Sequence, residues 1–277
     1  ITRIETDDGE EPQLRCCPRC RAYRQRVYAP DRLKYPLMRI GPRGKGDDAV
    51  HFEKVSWNEA LDLVARELRR IKEAYGPSAI LLKTSGGDVS LVHGGGRIIE
   101  RLLTLFGGYT GTWGGHSWES AMFASVATYG TIAVANTRDD LLNSRMILMW
   151  GWNPVDTIHG TNTTWYLAQA REKGAKIVSV DPRHTDTTAT FADEWIPIRP
   201  STDAAMLIAM AYVIIKENLQ NQTFLDRYTV GFDKYRDYVV GAEDGVPKTP
   251  QWAEGITGVP AATTSRLARD YATIKPA

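Results

Sequence analysis

Three apolar stretches constrain the fold most: "RMILMW" (145–150), "KIVSVDP" (176–182) and "DEWIPIRP" (193–200). Each is short and rich in β-branched, aromatic or long apolar residues. Each ends in, or is followed at once by, glycine or proline, the stops that bound such runs. A helical pattern over about 159–172, closed by Gly174, separates the first two. The third leads into "TDAAMLIAMAYVIIKENL" (202–219), a long helix with Thr202 or Asp203 near its start. Continuous apolar strands alternating with helices belong to parallel sheets covered by helices. The expected fold class is therefore α/β: a parallel sheet covered by helices, with an irregular N-terminal arm.

The alternation extends upstream. Ser56 and Glu59 have the spacing of a capping box, ahead of "EALDLVARELRRIKEAYG" with apolar residues at 61, 64, 68 and 71. That helix should stop at Gly76-Pro77. "AILLKTS" (79–85) reads as a buried strand running into the Gly-rich "SGGD", and a helix over roughly 91–106 should stop at Gly107-Gly108. Two short amphipathic helices are expected near 222–227 and 260–273. Residues 1–50 read as an arm with many turns, since "APDRLKYPLMRIGPRGKGDD" holds three prolines and three glycines. The expected division is an arm over 1–50 and an α/β domain over 51–277.

A composition of 43% hydrophobic and 24% charged residues in 277 is that of a globular chain with a sizeable core. The most apolar run, "AAMLIAMAYVII" (204–215), is shorter than the roughly 20 residues a bilayer helix needs. The first residues, "ITRIETDDGEEPQ", show no signal pattern and no initiator methionine, so a processed or partial product is expected. Net charge is only +1, yet Gln13 to Gly46 holds ten Lys/Arg against Asp31 alone. An arm so basic suits an acidic surface, a phosphate-bearing cofactor or nucleic acid, and equally a plain solvated segment. Aromatic interleaving is thin (Tyr23, Tyr28, Tyr35), so nucleic acid is not the expected partner. Cys16, Cys17 and Cys20 cluster in "RCCPRC". Cys17 and Cys20 supply half of a tetrahedral metal site, and the five histidines are scattered, so no self-contained zinc site is expected.

In parallel sheets, ligands lie at the carboxyl ends of the strands. The loops to weigh are "TSGGD", "WGWNPVDT", "VDPRHTDTT" and "RPSTD". No GxGxxG fingerprint, P-loop or GxSxG elbow accompanies them. Glycine in "WGWNP" allows close backbone approach. Asp181 suits ribose hydroxyls, Arg183 suits phosphate, and Asp203 can accept from a guanine edge. Each has a plainer reading: Asn153-Pro154 and Asp181-Pro182 as turns, Asp203 as a helix N-cap. Ser117, in "TWGGHSWESAMFASVATYG" (112–130), follows a glycine pair and precedes a helical run, so it reads as a cap or as something reactive. A Ser117–His116 nucleophile pair is geometrically poor, because adjacent side chains on a turn rarely converge.

Together these segments resemble the catalytic subunit of the dimethyl sulfoxide reductase family of molybdenum oxidoreductases, most of all its membrane-associated respiratory type. "RCCPRCRAYRQRVYAPDRLKYPLMRIGPRGKG" is similar to the family's segment at and after its last cluster cysteine. "SRMILMWGWNPVDT", "KIVSVDPRHTDTTATFADEWIPIRPSTDAAM" and "TGVPAATTSRLARDYATIKPA" resemble its Rossmann-like molybdopterin-binding domain. The likeness runs from about residue 13 to 277, and the block at 176–206 is the most diagnostic.

The resemblance implies roles residue by residue. Cys17 matches the fourth ligand of a [4Fe-4S] cluster, and Arg19 the basic residue between cluster and pterin. Cys20 falls where the family has Gly, a departure, and Cys16 at a variable position. Ser117 matches the side chain that ligates molybdenum, where relatives also carry Cys, selenocysteine or Asp. Its hard oxygen suits a high-valent metal. Trp113 and His116 flank that ligand, and Asp88 falls at a pterin contact. Trp150, Gly151, Asn153, Asp156 and Thr157 match one cofactor loop, and Asp181, Arg183 and His184 the next. Ser201, Thr202 and Asp203 match the guanine-end loop.

The implied cofactors are molybdenum bis(molybdopterin guanine dinucleotide) and the [4Fe-4S] cluster. The implied activity is oxygen-atom transfer to or from an S-oxide, N-oxide or related small molecule. Implied partners are a ferredoxin-like iron–sulfur subunit and a membrane anchor subunit, at the periplasmic or outer face of the cytoplasmic membrane. Three cluster cysteines should precede Cys17, and further domains should hold the second pterin. The chain is thus expected to be a fragment of a catalytic subunit, inactive alone and without an intact cluster. The alternatives are a degenerate relative or a non-catalytic guanine-nucleotide module.

Overall fold

The computed structural model describes residues 1–13, 18–41, 51–83, 95–112, 118–158 and 162–277. The chain forms two compact units: Ile1–Arg24 with Ala135–Ala277, and Gln25–Val134. The boundary expected at residue 50 falls at the end of the undescribed segment 42–50.

The arm is more regular than its glycines and prolines suggest. Helix α1 (Pro18–Val27) begins on proline, which suits a first helical turn, and has no breaker inside. Strand β1 (Leu37–Ile40) pairs antiparallel with β2 (His51–Lys54), Leu37 opposite Lys54 and Ile40 opposite His51. Helix α2 (Trp57–Tyr75) starts as its spacing predicts. Ser56 Oγ accepts from the Glu59 N–H at 3.2 Å, and Glu59 Oε2 accepts from the Ser56 N–H at 2.8 Å. The Ser56 N–H, and after it the Ser56 hydroxyl at 2.8 Å, donate to that carboxylate and hold it below its ordinary range.

Of the strand expected over 79–85, Ala79 belongs to a 3-10 turn (Pro77–Ala79), β3 (Leu81–Leu82) is the paired part among the described residues, and 84–85 lie outside them. Helix α3 (Gly95–Phe106) follows, then β4 (Thr110–Gly111), parallel to β3. Helix α4 (Glu119–Tyr129) ends at Gly130, whose φ of 73° is the left-handed conformation that lacks a Cβ penalty only in glycine.

The first unit carries the main sheet. Its elements are β5 (Met146–Trp150), α5 (Thr163–Glu172), β6 (Lys176–Val180), α6 (Asp186–Phe191), β7 (Glu194–Ile196) and α7 (Asp203–Lys216). Helices α8 (Gln222–Tyr228), α9 (Phe232–Val239), α10 (Pro250–Thr257) and α11 (Ala261–Thr273) follow. The order is β5-β6-β7, all parallel, with Ile147 opposite Ile177 and Val178 opposite Glu194.

Alternate residues face opposite sides. Met146, Val178, Val180 and Ile196 pack with Met206 and Met210 of α7 and Leu267 of α11. Ile147, Met149 and Ile177 pack with Leu167 of α5 and Phe191 of α6. Both faces are covered, which is why the strands read as unbroken apolar runs. Helices α6, α9 and α10 are not evident from periodicity, since six to eight residues give too few turns for a clear stripe.

The amino end of this sheet is tied to α11. Asp270 Oδ2 accepts from Lys176 Nζ at 2.8 Å and from Arg266 Nη1 at 3.2 Å, and Arg266 also pairs with Glu194. The Arg145 N–H donates to the Pro276 carbonyl at 2.8 Å. No described helix is long and apolar enough to cross a membrane.

Candidate functional site

Because β5, β6 and β7 are parallel, the loops that follow them leave from one edge. The structure therefore brings together three of the groups singled out in the sequence: Trp150 to Thr157, Asp181 to His184, and Ser201 to Asp203.

Trp150 ends β5. Its indole N–H donates to Asp203 Oδ1 at 2.8 Å, joining the first loop to the start of α7. Gly151 then turns the chain at a φ of 56°, with its N–H on the Val180 carbonyl at 2.9 Å. A Cβ there would meet no atom within 4 Å, so conformation and not crowding calls for glycine. The Asn153 carbonyl accepts from the N–H groups of Asp156 (3.2 Å) and Thr157 (2.8 Å). That is the turn expected of Asn-Pro. The Asn153 side chain faces inward, and its Oδ1 accepts from the Thr187 hydroxyl at 2.6 Å. Asp156 and Thr157 are exposed.

After β6, Asp181 is buried and its Oδ1 accepts from the Arg183 N–H at 2.8 Å, an Asx turn. Arg183 and His184 are exposed on this turn. The His184 ring meets Trp195 edge-on, with centroids 5.0 Å apart. The Trp195 indole donates to the Asp181 carbonyl at 2.9 Å. Beneath the turn, the Thr188 hydroxyl lies 2.8 Å from that of Ser179 and 2.9 Å from that of Thr185, all three buried.

After β7, Arg199 donates to the carbonyls of Gly255 (3.0 Å) and Ile256 (3.2 Å), and Thr202 Oγ1 donates to the Arg199 carbonyl at 2.7 Å. Ser201 holds a φ of 64°. For a non-glycine residue, that left-handed conformation costs about 1–2 kcal/mol. Asp203 is not the N-cap: Thr202 occupies that position, and Asp203 is the first helical residue. Its carboxylate serves the Trp150 indole instead.

Arg19 lies exposed on α1. Cys17, Asp88, Trp113, His116 and Ser117 lie outside the described residues, as do Cys16 and the loop at 84–90. Among the described residues, no group of three or more His, Cys, Asp or Glu is placed to hold a metal ion. Two residues that sequence reasoning passed over, Thr187 and Trp195, hold the loops in shape. The threonines at 185, 187 and 188 are the trace of the first. Trp195 reads simply as a strand residue.

The edge thus offers exposed Arg183, His184, Asp156 and Ser201, backed by buried Asp181 and a pinned Asp203. This donor set, one guanidinium among carboxylates and hydroxyls, suits the ribose, phosphate and base of a nucleotide. Fold and loops define an α/β protein whose candidate binding residues gather at the carboxyl edge of a parallel sheet.

The chain belongs to the molybdopterin oxidoreductase family, whose model matches residues 32–264. A dimethyl sulfoxide reductase of Escherichia coli (strain K12) is 42% identical over 303 aligned positions, covering 100% of this chain and 37% of that protein. A dimethyl sulfoxide/trimethylamine N-oxide reductase of Rhodobacter capsulatus is 33% identical over 88% of this chain and 32% of its own length. Among solved structures, acetylene hydratase from Pelobacter acetylenicus superposes with a TM-score of 0.77 at 25% identity, over 98% of this chain and 35% of that one. The chain therefore spans about a third of the length of the relatives it matches.

Proposed function

We propose that the chain is part of the catalytic subunit of a molybdenum oxidoreductase that moves an oxygen atom to or from an S-oxide, N-oxide or related molecule. The observation that carries this reading is the convergence of the three loops on one edge of the sheet, within a chain of this family. In it, these loops hold one molybdopterin guanine dinucleotide. Ser201, Thr202 and Asp203 take the guanine end, Asp181 takes ribose, and Arg183 and His184 take phosphate. Gly151 leaves room for close approach of the pterin side, with Trp150, Asn153, Asp156 and Thr157 shaping its loop and Asp88 contributing beyond it. When bound, the molybdenum cofactor supplies two-electron oxygen-atom transfer. Ser117 serves as its protein ligand, with Trp113 and His116 beside it. Cys17 belongs to a [4Fe-4S] cluster whose other ligands are not in this chain, and Arg19 carries positive charge between cluster and pterin. Electrons come from a ferredoxin-like subunit with a membrane anchor, outside the cytoplasmic membrane.

Ser117→Ala in the complete catalytic subunit tests the reading. Reduction of dimethyl sulfoxide by a reduced dye should disappear, while extraction of the purified protein still yields guanine-bearing pterin. Retained turnover would exclude Ser117 as the ligand. Loss of the pterin as well would make it a folding residue.

A further inference from the structure

We propose that Thr187 is a positioning residue for the nucleotide, acting through the loop that follows β5. Its side chain is fully buried on α6 and touches the cofactor edge only through that loop. The Thr187 hydroxyl donates to Asn153 Oδ1 at 2.6 Å and accepts the Val155 N–H at 3.0 Å. Its own N–H points at the same Asn153 oxygen, 3.4 Å away. One hydroxyl thus acts as donor and acceptor at once, on two residues of a loop 34 and 32 positions upstream. The Asn153 carbonyl in turn receives the N–H groups of Asp156 and Thr157. Fixing Asn153 therefore fixes the turn that presents both.

The helix carrying Thr187 is itself anchored. Thr185 caps it by accepting the Thr188 N–H at 3.1 Å, and Thr188 reaches Ser179 of β6. The hydroxyl consequently ties the loop after β5 to the framework of β6. The two loops that flank the site keep one spacing. Orientation of this kind governs affinity because a loop held in its binding shape loses less freedom when the ligand arrives.

The inference rests on the nucleotide reading proposed above, and its test separates the two. Thr187→Val keeps the shape of the side chain and deletes both bonds; Thr187→Ser keeps the hydroxyl and deletes a buried methyl. In the complete catalytic subunit stripped of its cofactor, the parent and both variants are titrated with guanosine diphosphate by calorimetry. Melting temperature and amide exchange at Val155 are followed in parallel. Thr187→Ser should melt lower yet bind like the parent chain. Thr187→Val should bind roughly tenfold more weakly, from the loss of two bonds, and its Val155 amide should exchange faster. Equal affinity in parent and Thr187→Val would overturn the positioning role while leaving the nucleotide reading intact. A parent chain blind to guanosine diphosphate would overturn the nucleotide reading, and this inference with it. Affinity that simply follows melting temperature across the variants would mark Thr187 as structural only.

Discussion

The unit built on β5, β6 and β7 and the unit built on α2 and α3 contain helices of equal clarity in sequence, but they use their apolar faces differently. In the first, Met206, Met210, Leu267 and Leu167 are buried against both faces of a sheet. In the second, Ile80 and Leu103 are the buried apolar side chains among the described residues. Leu61 and Val64 of α2, Leu102 and Leu105 of α3, and Phe123 and Val126 of α4 all stay more than half or about half exposed. Its two strands per sheet are also too few to form an apolar floor. A periodic apolar stripe therefore announces a helix and the direction of its sticky face, and says nothing of whether the same segment supplies the opposing surface.

The contrast makes graded predictions. The largest effect should come from Leu267→Ala, which empties a fully buried site and should cost about 2–5 kcal/mol in chemical denaturation. Leu61→Ala, at 59% exposure, should cost about 0.5 kcal/mol or less. Equal costs would erase the distinction between the units. Next is Lys248→Met. Lys248 is buried, its Nζ on Asp244 Oδ2 and the Val246 carbonyl, both at 2.5 Å. Loss of those bonds should cost about 1–3 kcal/mol in the same assay. Ser56→Ala removes the capping box of α2 and should cost about 1 kcal/mol. Followed by amide exchange, that loss should fall on residues 57–75 and leave β5 to β7 protected. Loss of protection in both would show the units opening together.

The smallest effect is one of pH. Hydrogen bonding to Lys248 holds the Asp244 carboxyl below its ordinary value, and Arg269 does the same for Glu217. A carboxyl with a lowered folded-state pKa contributes fully above its unfolded value, and that contribution disappears as pH falls through the folded one. Asp244→Asn should flatten the acid limb of the stability profile of the β5–β7 unit alone. An unchanged limb would remove this pair from the account.

Much of the sheet unit is legible in the sequence, because its segments are apolar on both faces and bounded by clear stops: Gly151, Gly174 and the Pro197-containing turn after β7. The arm misleads because its prolines and glycines crowd into 29–48, while α1 lies ahead of them and opens on Pro18, where a helix tolerates proline. The strand at 79–85 misleads because Pro77 starts a 3-10 turn that consumes its first residue. At the site, residue identities locate the loops but not their internal bonding. Asn153 lies in the loop after β5 and Asp203 opens α7, and nothing local says that they bond to Thr187 and Trp150, 34 and 53 positions away. Long-range hydrogen bonds between short side chains leave no periodic trace.

The ion pairs of Lys176, Asp270, Arg266 and Glu194 and the Arg145–Pro276 bond all sit at the amino end of the sheet. Mechanically, the sheet is a cantilever, clamped at the end away from its loops. Segments 151–157 and 181–184 can thus be exchanged for those of a relative without touching the clamp, as long as the asparagine at 153 that meets Thr187 is kept. Grafted loops would inherit a rigid base whose stability was set by other residues.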